Sequence, residues 1–279
     1  MDRAQLISDY INVRANSVEG WFYPVDMALF YYLDQTQKEG RLTGDLCEVG
    51  VYKGKSLAYL GMLARDEERI HAFDLFPEDY LERTKEVMAR FCPWQPAVQY
   101  ISGDTAEYSA AQLRQLVQRQ LRMLHIDAGH EYHEVLHTLY HLAPFVDDTG
   151  IIIMDDYQDR EFPGVGAAVL DFCQQQQPRQ FVPFLAGANK MYLCSPSMAA
   201  YYQRGVLFRD GLKDTMRLSR IRDNVVLVAQ SKLPMHSDTI ARLLGSDLPD
   251  YTASVDLDAL AAKAKRNAQN AIAAANSRG

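Results

Sequence analysis

The sequence predicts an α/β fold: a doubly wound, mostly parallel sheet of seven strands, with helices ahead of it and an extension behind. Three observations carry this. Short apolar runs ending in acids or glycines alternate with helical segments, the pattern of strands buried on both faces of a parallel sheet. A glycine loop, Glu48-Val-Gly50-Val-Tyr-Lys53-Gly54, joins the first run to a helix. Two later runs, Arg122-Met-Leu-His-Ile-Asp127 and Gly150-Ile-Ile-Ile-Met-Asp155-Asp156, bring three acids to strand ends, the edge where open α/β sheets hold ligands. Carboxylates gathered there repel one another unless a cation lies between them.

The composition sets outer bounds. The 279 residues suffice for one large core, or one core with an appendage. The net charge of −7 leaves no basic excess to neutralise phosphates, so no nucleic-acid partner is expected. No apolar run approaches the roughly 18 residues that span a bilayer, so no membrane partner is expected. The N-terminus, Met-Asp-Arg-Ala-Gln-Leu, does not read as a signal peptide. Cys47, Cys92, Cys173 and Cys194 are far apart and include no Cys-x-x-Cys pair. Buried free thiols and a cytoplasmic location follow as expectations.

In chain order, residues 2–14 and about 25–39 read as helices, the second with Met27, Leu29, Phe30 and Leu33 on a helical repeat. Between them Val18-Glu-Gly-Trp-Phe-Tyr-Pro24 is an aromatic loop, a core plug by its composition and, in an enzyme, a segment across the top of the site. The first strand, Asp45–Val49, leads into the glycine loop and the helix opened by Lys53-Gly-Lys-Ser56. That loop has neither the Gly-x-Gly-x-x-Gly of dinucleotide folds nor the spacer of a P-loop. Gly50 and Gly54 let backbone approach a ligand closely, and the helix behind them offers free N–H groups.

The second strand, Arg69–Asp74, ends in an acid 24 residues past Gly50, where a carboxylate accepts hydrogen bonds from ribose hydroxyls or caps the next helix. A helix over about 78–91 and a strand near Val98–Ile101 lead to Ser102-Gly103-Asp104-Thr105. Asp104 there either caps a helix over about 106–120 or meets an adenine amino group. After Asp127 a helix over about 131–142 carries His133, His137 and His141 at i, i+4, i+8. This stripe lacks the glutamate base or cysteines of a zinc site and reads as a solvated or interface face. His130 stands apart, three residues after Asp127 at the strand exit, with a side chain suited to taking a proton near neutral pH. A helix to about Gln177 follows Asp155-Asp156-Tyr157. Phe181–Leu185 and Lys190–Cys194 then form an antiparallel hairpin that completes the seven strands. Beyond residue 197, Asn224–Ala229 reads as a strand and Val255–Ala275 as an alanine-rich helix.

These residues resemble a known family. Glu48-x-Gly50-x-x-x-Gly54, Asp74 and Gly103-Asp104 look like the S-adenosylmethionine motifs of class I methyltransferases, which have a Rossmann-like sheet. Ile126-Asp127-Ala-Gly-His130, then Met154-Asp155-Asp156-Tyr157 and Phe162-Pro-Gly-Val, are similar to the metal-dependent sugar O-methyltransferases of the macrocin and mycinamicin type. The likeness covers about residues 18–195. It implies S-adenosylmethionine held by Glu48, Gly50, Lys53, Gly54, Ser56, Asp74, Gly103, Asp104, Thr105 and Asp127. It implies Mg²⁺, or another divalent cation, on Asp127, Asp155 and Asp156. His130 and Asp127 would be the catalytic pair, with His130 accepting the proton of a small-molecule hydroxyl. The resulting organisation is a helical cap (1–40), a methyltransferase domain (41–196) and an extension (197–279) that lids the site or joins subunits of a homo-oligomer. Catechol-type O-methyltransferases place similar acids at the same strand ends, and a nicotinamide-dependent oxidoreductase shares the sheet and the ribose acid. An interaction protein would have lost the loop or the acids, and a metallo-hydrolase leaves the glycine loop unexplained.

Overall fold

The computed structural model describes residues 3–176, 180–207 and 216–229. Nine strands form one sheet: β1 (Asp45–Val49), β2 (Arg69–Asp74), β3 (Ala97–Ser102), β4 (Leu121–Ile126), β5 (Val146–Met154), β6 (Val182–Ala186), β7 (Met191–Cys194), β8 (Met216–Ile221) and β9 (Asn224–Ala229). Their order is β3-β2-β1-β4-β5-β7-β6-β9-β8. Pairing from β3 through β5 is parallel, and β7 runs antiparallel to both β5 and β6. Among the described residues the sheet has nine strands, where the sequence suggested seven. The two additions are the β8–β9 hairpin, in which β9 pairs parallel with β6. Met216 and Leu218 alternate with polar residues there and give a weak strand signal.

The order reverses beside β1, so chain crosses to both faces. One core gathers α1 (Arg3–Asn12), α2 (Pro24–Glu39), α3 (Lys55–Leu63), α4 (Tyr80–Phe91) and α8 (Ala199–Leu207). The other gathers α5 (Ala110–Leu116), α6 (Tyr132–Leu142) and α7 (Pro163–Gln175). Every residue of β1 and β4 is buried, as a central strand covered on both sides requires. Residues 199–207 and 216–229 supply α8 and the β8–β9 hairpin to this same body.

The expected helix over 106–120 is shorter. Asp104 caps a single 3-10 turn, and Ser109 and Gln112 form a reciprocal capping box that starts α5 at Ala110. All four cysteines are free and buried. Among the described residues no helix is long and apolar enough to cross a membrane. The alanine-rich helix expected over Val255–Ala275 lies outside the described residues.

Candidate active site

A cavity of about 790 Å³ opens at the carboxyl ends of the central strands. Its floor is the glycine loop. Gly50 has φ +85°, and a Cβ there would fall 1.9 Å from the carbonyl oxygen of Asp127. Only glycine permits that approach of β1 to β4. Gly54, also at φ +85°, caps α3 against Thr84.

Asp74 organises the loop through its side chain. One carboxylate oxygen accepts the N–H groups of Val51 (2.7 Å) and Tyr52 (2.9 Å), and the other accepts that of Phe76 (2.6 Å). The oxygen that accepts Phe76 keeps a second lone pair for a ligand hydroxyl. Asp104 accepts the Ala106 N–H at 2.8 Å and also faces the cavity, so capping leaves it available there. Of the residues expected at the cofactor, Gly50, Ser56, Asp74, Gly103, Asp104, Thr105 and Asp127 line the cavity. Glu48, Lys53 and Gly54 lie away from its wall. Glu48 is fully buried and paired with His125 Nδ1 at 2.8 Å, and Lys53 bridges outward to Glu19 at 2.7 Å.

The aromatic loop divides its work. Phe22 points inward, edge-on to Phe30 and Tyr59 and stacked on His125. Gly20, Trp21 and Tyr23 border the cavity mouth. Both readings of this loop are realised, at different residues.

The three acids converge at the other end. Asp127, Asp155 and Asp156 all line the cavity, and Asp156 adopts φ +55° in the turn after β5. Asn189 Nδ2 donates to Asp156 at 2.7 Å, and Tyr157 N–H donates to the Asn189 carbonyl at 3.0 Å. His130 Nε2 lies 3.0 Å from Asp156 Oδ2, its ring stacked on Phe162 with centroids 4.0 Å apart.

A cation already stands behind these acids. The Lys190 ammonium, almost wholly buried at the head of β7, pairs with Asp155 and lies 3.0 Å from His125 Nε2. A continuous row therefore runs Glu48, His125, Lys190, Asp155. Sequence reasoning missed Lys190 and Asn189. Their signal was a lysine directly preceding a wholly apolar strand, which has no reason to be buried unless it meets an acid. Burial, reinforced by Asp155, pushes the Asp127 carboxyl well above the usual range. Burial also opposes ionisation of Asp155, but Lys190 and His125 outweigh it and hold that carboxyl low. Burial and then Lys190 hold His125 below its ordinary value.

Two groups of donor atoms lie within 4.8 Å of one another: His125, Asp127 and Asp155, and Asp127, His130 and Asp156. The ammonium of Lys190 contacts both His125 and Asp155 of the first group. The second is partly open to the cavity, and its two carboxylates suit a hard divalent cation. The stripe His133, His137 and His141 enters no such group among the described residues, and His137 and His141 instead pack their rings 3.9 Å apart.

Residues 47–157 match a family model described as a methyltransferase domain. No curated protein sequence matches the chain. Among solved structures it is similar to CalS11, a TDP-rhamnose 3'-O-methyltransferase of calicheamicin biosynthesis, at 20% identity and TM-score 0.46 over 61% of this chain and 76% of that one. It is similar to the O-methyltransferase NovP at 18% identity and TM-score 0.47, over 61% and 79% of the two chains. A third is the MycE methyltransferase of the mycinamycin pathway, in complex with Mg, SAH and mycinamycin VI. That match has 17% identity and TM-score 0.47, over 70% of this chain and 54% of that one.

Proposed function

We propose that this chain, which carries a methyltransferase domain over residues 47–157, moves a methyl group from S-adenosylmethionine to a hydroxyl of a small molecule. One observation carries the reading. A single cavity joins a glycine loop and ribose-type acid at one end to an acid edge with a histidine at the other.

The donor half is built from Gly50, Ser56, Asp74, Gly103, Asp104 and Thr105. Asp74 takes a ribose hydroxyl on the free lone pair of Oδ1, and the αL turn at Gly50 lets the donor lie flat on backbone. Asp127 stands at the junction: its carbonyl touches Gly50, and its carboxylate belongs to the acid edge. In the acceptor half, Asp156 orients the His130 ring through Nε2, leaving Nδ1 to take the hydroxyl proton. Phe162 holds the ring flat. Asp127 and Asp156, with Asp155 behind them, would hold Mg²⁺ or another divalent cation, which when bound stabilises the acceptor in its alkoxide form. Lys190 compensates Asp155 from below, so Asp127 and Asp156 are the carboxylates left for an ion.

A sugar hydroxyl is the acceptor the motif resemblance favours, with a phenolic hydroxyl second. The four buried free thiols support a reducing, cytoplasmic setting. Calorimetric titration with S-adenosylhomocysteine, with Mg²⁺ and again in EDTA, tests the reading. Micromolar binding in both conditions is the expected result, since the ion belongs to the acceptor half. Absence of binding by folded protein in either condition overturns it.

A further inference from the structure

Residues 20–23 run across the cavity mouth from the donor half to the acceptor half. At one end the Gly20 carbonyl accepts the Lys55 ammonium, and Glu19 bonds the Tyr52 hydroxyl (2.6 Å) and Lys53 (2.7 Å). At the other end Phe22 is buried against His125, with the Lys190 ammonium 5.1 Å from its ring centre. The segment is thus pinned to both the glycine loop and the acid edge. With Phe22 driven inward, Trp21 and Tyr23 both turn out at the mouth, 80% and 52% exposed. The Trp21 ring lies 6.0 Å from that of Tyr52 on the glycine loop, so an indole and a phenol stand together on a pinned segment as an exposed aromatic surface that a ligand can cover.

We propose that Trp21 and Tyr23 form the platform on which the methyl acceptor rests, and that they select a ring with one apolar face and hydroxyls at its edge. The flat faces take the ring's C–H side, while the hydroxyl edge turns down toward His130, Asp127 and Asp156. The pinning of residues 19, 20 and 22 means that the platform is already in place before the acceptor arrives, which limits the ordering cost. This inference rests on the methyl-transfer reading above and adds the residues that choose the acceptor.

The chain has two tryptophans, and Trp94 lies far from the mouth, donating to the Gly61 carbonyl under Arg3. Trp94→Phe therefore leaves Trp21 as the sole indole reporter. With S-adenosylhomocysteine bound, this protein is titrated with methyl glycosides of glucose, mannose and rhamnose, and with catechol. The expected result is a saturable shift of Trp21 emission by at least one glycoside. Adding Tyr23→Ala should weaken that binding about fivefold or more, with S-adenosylhomocysteine affinity by calorimetry unchanged. In the control Trp21→Phe the remaining Trp94 emission should not respond. Intact S-adenosylhomocysteine binding with no response of Trp21 to any probe overturns the platform alone. A Tyr23→Ala protein that binds the glycoside unchanged does the same, and a response to catechol only overturns the preference for a hydroxyl-edged ring. Loss of S-adenosylhomocysteine binding in the parent protein instead removes the reading beneath it.

Discussion

At residue 190 one ammonium faces two carboxylates and an imidazole with almost no water. Replacing it by methionine keeps the volume and removes the charge, leaving the ionised Asp155 uncompensated. Breaking one side of a buried pair costs about 3–5 kcal/mol, so Lys190→Met is expected to lose that much in urea unfolding. Adding Asp155→Asn should recover part of it, a coupling that a double-mutant cycle reads directly. His130 makes a different case, because it is half exposed and its contacts, Asp156 and Phe162, lie at the cavity wall. Its change to alanine is expected to lower turnover by about 10²–10⁴-fold while S-adenosylhomocysteine affinity stays level by calorimetry. At this scale the acids were legible in the sequence because each ends an apolar run, and that position is local information. Lys190 was not, since its partner Asp155 lies 35 residues away across the β5–β7 pairing. Glu48 was legible through the glycine-loop motif, whereas its pairing with His125, 77 residues on, was not.

Among the elements, the strands were legible wherever a run is apolar throughout, as in β1, β4 and β5, because burial on both faces leaves no polar residue to blur them. The β8 strand escaped because an edge strand exposed on one side carries Arg217, Ser219 and Arg220 between its apolar residues. The α5 helix was read too long because Ser109, five residues after a visible cap at Asp104, was passed over as a second cap. The glycine loop gives the sharpest test of an element. Gly50→Ala must place a methyl group inside the Asp127 carbonyl while holding a left-handed backbone. A loss of roughly 3 kcal/mol is expected, together with loss of S-adenosylhomocysteine binding. Gly54→Ala, which meets Thr84 at 3.1 Å, should cost less. Thermal unfolding and calorimetry on the two variants give the comparison.

The molecule as a whole places a second buried acid beneath the site. Asp26, on α2, accepts the Tyr192 hydroxyl at 3.0 Å and the Asn189 N–H at 3.4 Å, tying the N-terminal helices to the β6–β7 turn. Burial pushes its carboxyl up to about 6 from 3.8, with Lys190 pulling the other way. Folded protein thus holds this proton more tightly than unfolded protein does. The contribution to stability is complete below about pH 4 and falls away as pH rises through 6. Above that window the ionised group costs on the order of 2–3 kcal/mol. Asp26→Asn, which keeps the acceptor oxygen, is expected to stabilise the protein at pH 8 and to change little at pH 4. Urea unfolding at the two values decides it.

The charge that balances the acid edge enters the sheet from β7, after the strand order has already doubled back past β5. While the chain has grown only through Tyr157, it holds all three acids and the glycine loop but not the lysine that pairs with Asp155. Residues 47–157, the stretch that matches the methyltransferase domain, end before Lys190. Assembly of the site is therefore a long-range event in folding order, completed when a hairpin of high sequence separation closes against β5. A minimal catalytic fragment must extend through Cys194, although the recognisable motifs stop near Tyr157.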